Sequence, residues 1–190
     1  MTGPKPEGRL FVLSGPSGVG KDTVIRRLLT LIPELGRPVA FTTRLPRPGE
    51  QDGREYSFVS DRDFERMERA GEFLETAVVH GHRYGTSRAR VAELLKRGRN
   101  VLLKIDVQGA RQLRRQDLGA TFIFLTPPSR EELLARLTSR RTEGAEEVTL
   151  RTRNADLELA EAGEYQHQVV NDDVDRAAGE IAGIVRLGAG

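Results

Sequence analysis

The amino-acid sequence predicts an α/β protein, a parallel β-sheet flanked by helices with a smaller mixed insertion. Three observations carry this. Apolar, β-prone runs at 9–14, 101–106, 121–125 and 168–171 alternate with helical segments, as parallel strands joined by crossover helices require. The first run, Leu10-Phe-Val-Leu-Ser14, breaks into a glycine-rich turn and continues as the helical stripe Val24, Ile25, Leu28, Leu29 and Ile32, which stops at Pro33. Between about 38 and 87 the rhythm changes: short β-like pieces at 39–43, 56–59 and 73–79 surround a helix at 61–70.

The turn itself reads Gly15-Pro16-Ser17-Gly18-Val19-Gly20-Lys21, followed by Asp22 and Thr23. Its glycines permit backbone angles that let successive N–H groups curl around an anion at a helix N-terminus, and Lys21 adds a mobile positive charge. The spacing fits G-x-x-x-x-G-K, with the strand before and the helix after that this phosphate-binding P-loop needs. A plain strand-to-helix connection requires neither three glycines nor a lysine there. Asp22 departs from the pattern, standing where a magnesium-binding Ser or Thr is expected.

Composition bounds the alternatives. At 190 residues and 37% hydrophobic content the chain suits one domain with inserted subdomains. No apolar run approaches the roughly 20 residues of a membrane span, and residues 1–8 lack the apolar region of a secretory signal, so a cytoplasmic protein without membrane partners is expected. The absence of Cys excludes disulfides and thiolate chemistry, and His80, His82 and His167 make a poor metal set. A formal charge of +2 and few aromatics argue against a nucleic-acid surface. Lys5, Lys21, Lys96 and Lys104 are the only lysines in an arginine-rich chain, and one of them stands in the P-loop, where a compact charge on a flexible stem suits a phosphate.

In parallel sheets ligands bind beyond the carboxyl ends of the strands, which here carry Ser14-Gly15, Asp106, Thr126 and Asn171. Ser129-Arg-Glu-Glu132 opens a helix with a capping box, and an amphipathic helix at 173–185 closes the sheet domain. Elsewhere Thr42-Thr-Arg44-Leu-Pro-Arg47-Pro-Gly-Glu50, with Gly53 and Tyr56, holds two arginines and a tyrosine among prolines and glycines. Arg44 and Arg47 suit bidentate grip of a second phosphate, although a solvated basic loop accounts for the segment as well. Glu75 suits the paired N–H donors of guanine, and an ordinary surface glutamate is the plainer reading. Arg136, Arg140, Arg141, Arg151 and Arg153 surround a polar stretch at 142–147 expected to be mobile: a phosphate lid, or a solvated helix face.

These motifs, together with Tyr84-Gly-Thr86-Ser87, Ile105-Asp106-Val-Gln-Gly109, Pro127-Pro-Ser129 and Val170-Asn171-Asp-Asp173, resemble the guanylate kinases over about residues 9–187. The resemblance implies a P-loop NTPase core (9–36, 88–129 and 156–190), a GMP-binding insertion (37–87) and a helical lid (130–155). It implies ATP as phosphoryl donor, GMP and also dGMP as acceptors, and Mg²⁺ as cofactor. Carried over by position, Gly15 to Thr23 and Asn171 would bind ATP. Arg44, Arg47, Tyr56 and Tyr84 would hold the GMP phosphate, while Glu75, Thr86 and Asp106 read guanine. Lys21, Arg44, Arg140 and Arg151 would be catalytic. Three positions depart from the family: Asp22 in the P-loop, Ala40 where a base-reading Ser is usual, and Lys104 where an acid commonly precedes Ile-Asp. With Asp22 in place, Mg²⁺ is expected through phosphates and water near that residue.

Two other readings stay open on sequence grounds. A guanylate-kinase-like binding module would use the insertion to hold a phosphopeptide, but such modules usually carry a degraded P-loop. A kinase for another monophosphate would present different base contacts. Oligomeric state is not set by the sequence.

Overall fold

The computed structural model describes residues 7–79, 81–138 and 145–188. Strands β1 (Leu10–Ser14), β6 (Val101–Lys104), β7 (Thr121–Thr126) and β8 (His167–Val170) form one parallel sheet in the order β6-β1-β7-β8. Because strand side chains alternate, β1 sends Phe11 and Leu13 to one core and Leu10 and Val12 to the other. β7 does the same with Ile123 and Leu125 against Phe122 and Phe124. Both faces are covered, which is why these strands read as near-continuous apolar runs. On the first face α1 (Lys21–Leu31) packs against α7 (Val174–Leu187), burying Val24, Ile25 and Leu28 against Ala178, Ile181 and Val185. The opposite core takes Val91 of α3 (Arg88–Lys96) and Ala110 and Leu113 of α4 (Val107–Arg114).

A second sheet, order β3-β2-β5-β4, is built from β2 (Phe41–Thr42), β3 (Ser57–Phe58), β4 (Phe73–Val79) and β5 (His82–Ser87). It has its own small core, in which Phe64 and Met67 of α2 (Asp61–Arg69) meet Phe73. The apolar pattern of the sequence marks no strand at 82–87. That stretch is strand β5, antiparallel to β4, because pairing supplies what the weakly apolar His-Arg-Tyr-Gly-Thr-Ser lacks. The pairing sets Thr86 opposite Glu75, across a register irregularity between Phe73 and Glu75.

After β7 come α5 (Arg130–Thr138) and α6 (Ala145–Ala160), which pack on each other. The expected cap is present: Ser129 Oγ accepts from the Glu132 backbone N–H at 3.2 Å. Residues 145–147, expected to be mobile, are the first turn of α6, whereas Arg140 and Arg141 lie outside the described residues. The carboxyl ends of β1 and β6 and the inner face of the second sheet enclose one cavity of about 370 Å³.

Candidate active site

The P-loop forms one wall. Gly20 adopts φ 98°, and a Cβ there would collide with the Asn171 amide, so glycine is required on both counts. Helices α2, α3, α4 and α7 are capped by the side chains of Ser60, Ser87, Asp106 and Asp173. α1 starts at Lys21 with no side-chain cap. Its first N–H groups are therefore left for an anion in the cavity.

Gly15, Ser17, Gly18, Gly20, Lys21, Asp22 and Thr23 line this wall, while Pro16, Val19 and Asn171 are buried behind it. Asn171, expected among the ATP-binding residues, donates Nδ2 to the Val19 carbonyl at 2.7 Å and so braces the loop from beneath. Arg136 of α5 reaches the same carbonyl at 3.4 Å. Lys21 Nζ donates to the carbonyls of Gly15 and Pro16 at 2.5 and 3.0 Å. Burial, helped by the nearby Lys104 charge, lowers its pKa to about 8. Glu158, on α6, accepts from the Ser17 backbone N–H at 3.0 Å, so a carboxylate already sits on the phosphate loop.

The opposite wall comes from the second sheet. Glu75 is 5% exposed, and the Thr86 hydroxyl donates to its Oε1 at 2.5 Å. Burial raises the carboxyl to about 7, and the neighbouring Asp106 charge adds to the rise. Gly109 of α4 abuts Glu75 so closely that any Cβ there would strike Oε2. Asp106 lies two residues beyond β6, caps α4 through the Gly109 N–H at 2.9 Å and lines the cavity together with Lys21 and Glu75. Ala40 also lines it, offering a methyl group and no hydrogen bond.

Arg47, Tyr56 and Tyr84 line the same cavity, the two tyrosine rings edge to face at 5.7 Å. Arg44 stands one step back. Its Nε donates to the Tyr84 hydroxyl at 3.3 Å, and Nη2 lies 2.9 Å from both carboxylate oxygens of Glu50. Burial would raise Glu50, but the Arg47 backbone N–H and the Arg44 guanidinium outweigh it and hold the carboxyl low. Lys104 joins the two walls: Nζ is 2.8 Å from Asp22 Oδ1 and 3.3 Å from the Tyr56 hydroxyl.

Apart from Pro16, Val19, Asn171 and Arg44, the described residues expected at the donor and acceptor sites therefore line one cavity. Of Arg151 only the backbone, in α6, is described, and Arg140 lies outside the described residues. Sequence reasoning overlooked Glu158, Glu50 and the Gly109 contact. Glu158 had no local signal, since it meets Ser17 across 141 residues.

The family model for guanylate kinase matches residues 7–187. Guanylate kinase from Nocardia farcinica is 48% identical over 180 residues, 94% of this chain and 93% of that protein. The Rubrobacter xylanophilus guanylate kinase is 48% identical over 179 residues, 94% of each chain. Among solved structures, the crystal structure of guanylate kinase from Anaplasma phagocytophilum superposes with a TM-score of 0.81 at 33% identity, covering 97% of this chain and 88% of that one. An uncapped phosphate loop facing a buried glutamate and a tyrosine pair, matched over nearly the full length, settles the kinship: this chain belongs to the guanylate kinase family.

Proposed function

We propose that this chain transfers the γ-phosphoryl group of ATP to GMP, with dGMP as a second acceptor, and that the cavity between the two sheets is where transfer occurs. One observation carries the reading. The P-loop with Lys21 and the Glu75–Thr86 pair face one another across a single cavity, so a triphosphate and a purine monophosphate would meet with their phosphates between Lys21 and the tyrosines. In that pose Glu75 accepts from guanine N1–H and the exocyclic amine, donors that adenine does not present on the equivalent edge. Arg47, Tyr56 and Tyr84 hold the acceptor phosphate, and Arg44 reinforces Tyr84.

Phosphoryl transfer needs alignment and charge neutralisation more than covalent help from the protein. A GMP phosphate oxygen is already ionised and attacks the γ-phosphorus in line, so no side-chain base is required. Lys21 offsets charge spreading over the transferred group, with Arg140 and Arg151 in the same role from the lid. Closure over both nucleotides would exclude water that otherwise hydrolyses ATP.

The residues present fit a Mg²⁺ ion that arrives with the nucleotide. Among the described residues no three His, Cys, Asp or Glu side chains form a metal cage, and Mg²⁺ commonly keeps several waters while leaning on phosphates and one or two carboxylates. Asp22 and Asp106, both lining the cavity, would hold it through its waters. When bound, the ion supplies charge neutralisation at the donor phosphates.

A coupled assay of ADP formation against GMP, dGMP, AMP, CMP and UMP tests the reading. Turnover confined to GMP and dGMP is expected. Equal turnover with every acceptor, or a preference for another one, would overturn it in favour of a kinase of other specificity, and absent turnover would favour a binding module.

A further inference from the structure

We propose that Lys104 is a phosphate-binding residue, a second ammonium set between the donor and acceptor phosphates and held there by Asp22 until they arrive. This rests on the kinase reading above.

The backbone fixes its place. Lys104 ends β6, paired in register with Leu13 of β1, one residue before the strand runs out at Ser14 into the P-loop. From there its side chain crosses to Tyr56, the residue directly before β3 of the second sheet. Nζ touches Asp22, directly after Lys21, at 2.8 Å, and the Tyr56 hydroxyl at 3.3 Å, with the Tyr56 ring centroid 5.6 Å away. One ammonium thus contacts a residue from each side of the cavity.

The pairing joins a largely buried ammonium to an exposed carboxylate. The Lys104 side chain is only 20% exposed, yet its one carboxylate partner is 71% exposed. Burial alone would lower the Lys104 pKa, but the Tyr56 hydroxyl and Asp22 outweigh it and raise it, so the ammonium is held charged at this spot. Lys104 and Lys21 both line the cavity, and the Lys104 charge helps to lower the Lys21 pKa. Two cations converging on one space are relieved by an anion between them. Asp22 answers that demand from the rim in the nucleotide-free protein, and a phosphate beside Tyr56 would answer it from inside. Asp22, which breaks the P-loop pattern, and Lys104, which breaks the pattern before Ile105-Asp106, are therefore one device.

The test compares GMP with guanosine by calorimetry, in the absence of ATP and metal, in wild type, K104M, D22N and the double variant. The ratio of the two affinities isolates the phosphate, so a purely structural role for Lys104 would leave it unmoved. K104M is expected to lower the ratio about tenfold with guanosine binding retained. D22N, which frees Lys104, is expected to raise it several-fold, and this gain should vanish in the double variant. An unchanged ratio in K104M, or a D22N gain that persists without Lys104, overturns the proposal. Should K104M fail to fold, the D22N ratio decides alone, an unchanged value counting against. If wild type prefers another monophosphate, the same ratio is taken with that nucleotide and its nucleoside, which separates an error in the acceptor from an error about Lys104.

Discussion

Replacing Glu75 by glutamine tests the acceptor site at its most constrained point. Burial and the Asp106 charge hold the Glu75 carboxyl at about 7, against an ordinary value of 4.5. The folded protein therefore binds this proton more tightly than the unfolded chain does. Its stabilising contribution is fully present below pH 4.5 and is lost as pH rises through 7. At about 1.4 kcal/mol per pH unit the loss is roughly 3 kcal/mol. The neutral amide introduced by E75Q has no such dependence. Urea denaturation at pH 5, 6, 7 and 8 should show E75Q gaining on wild type by about 2–3 kcal/mol across that range, most of it by pH 7. Binding supplies the complementary sign. Guanine's donors need the ionised carboxylate, so wild type should release about half a proton on binding GMP at pH 7, read by calorimetry in buffers of different ionisation enthalpy. E75Q should bind GMP more weakly by ~1–3 kcal/mol and release none from this position, the nucleotide's own phosphate titration remaining in both. Parallel stability profiles, or equal proton release, would refute the assignment of Glu75 as a buried titrating base reader.

Lys21→Met should lower turnover by ~10³-fold while GMP affinity stays near wild type; because burial holds Lys21 at about 8, the same variant should make the nucleotide-free protein more stable at pH 7, an advantage that shrinks as pH rises through 8. Unchanged turnover would displace the P-loop lysine from the mechanism. Glu158→Gln removes the carboxylate from the Ser17 N–H and should tighten ATP binding several-fold by equilibrium titration; weaker binding would mean that Glu158 supports the loop instead of competing for it. Gly109→Ala drives a methyl into Glu75, so GMP affinity should fall at least tenfold with ATP affinity retained, and equal loss of both would point to general unfolding.

Much of this arrangement is legible from local chemistry. The P-loop is contiguous, so its glycines, lysine and flanking strand and helix appear in one window, and the core strands betray themselves because both faces are buried. Glu75 is legible only in part. Its side chain sits in an unremarkable Phe-Leu-Glu-Thr run, and what makes it a base reader is the antiparallel pairing that brings Thr86 to it and the bare backbone of Gly109 behind it. Strand β5 was hidden for the same reason: its stability comes from partners, not from its own apolar pattern. Asn171 shows the converse. A polar residue at the end of β8 suggests a ligand contact, whereas it is the loop's carbonyl that it holds.

The carboxylates already resident in the cavity and directly behind it have a consequence for selectivity. Glu50 on Arg44, Asp22 on Lys104 and Glu158 on the Ser17 amide each occupy a group that would otherwise attract phosphate. The nucleotide-free protein thus resembles an ion-exchange resin in its internal salt form. An incoming anion is scored by exchange, and an isolated inorganic phosphate, which can relieve one contact while leaving the others satisfied, gains little over the carboxylate it displaces. A nucleotide pair brings its phosphates together with a base that anchors them, and so exchanges several contacts in a single event. Discrimination against the cell's abundant small anions would then come from the number of carboxylates that must leave together, and it would weaken stepwise as each is neutralised.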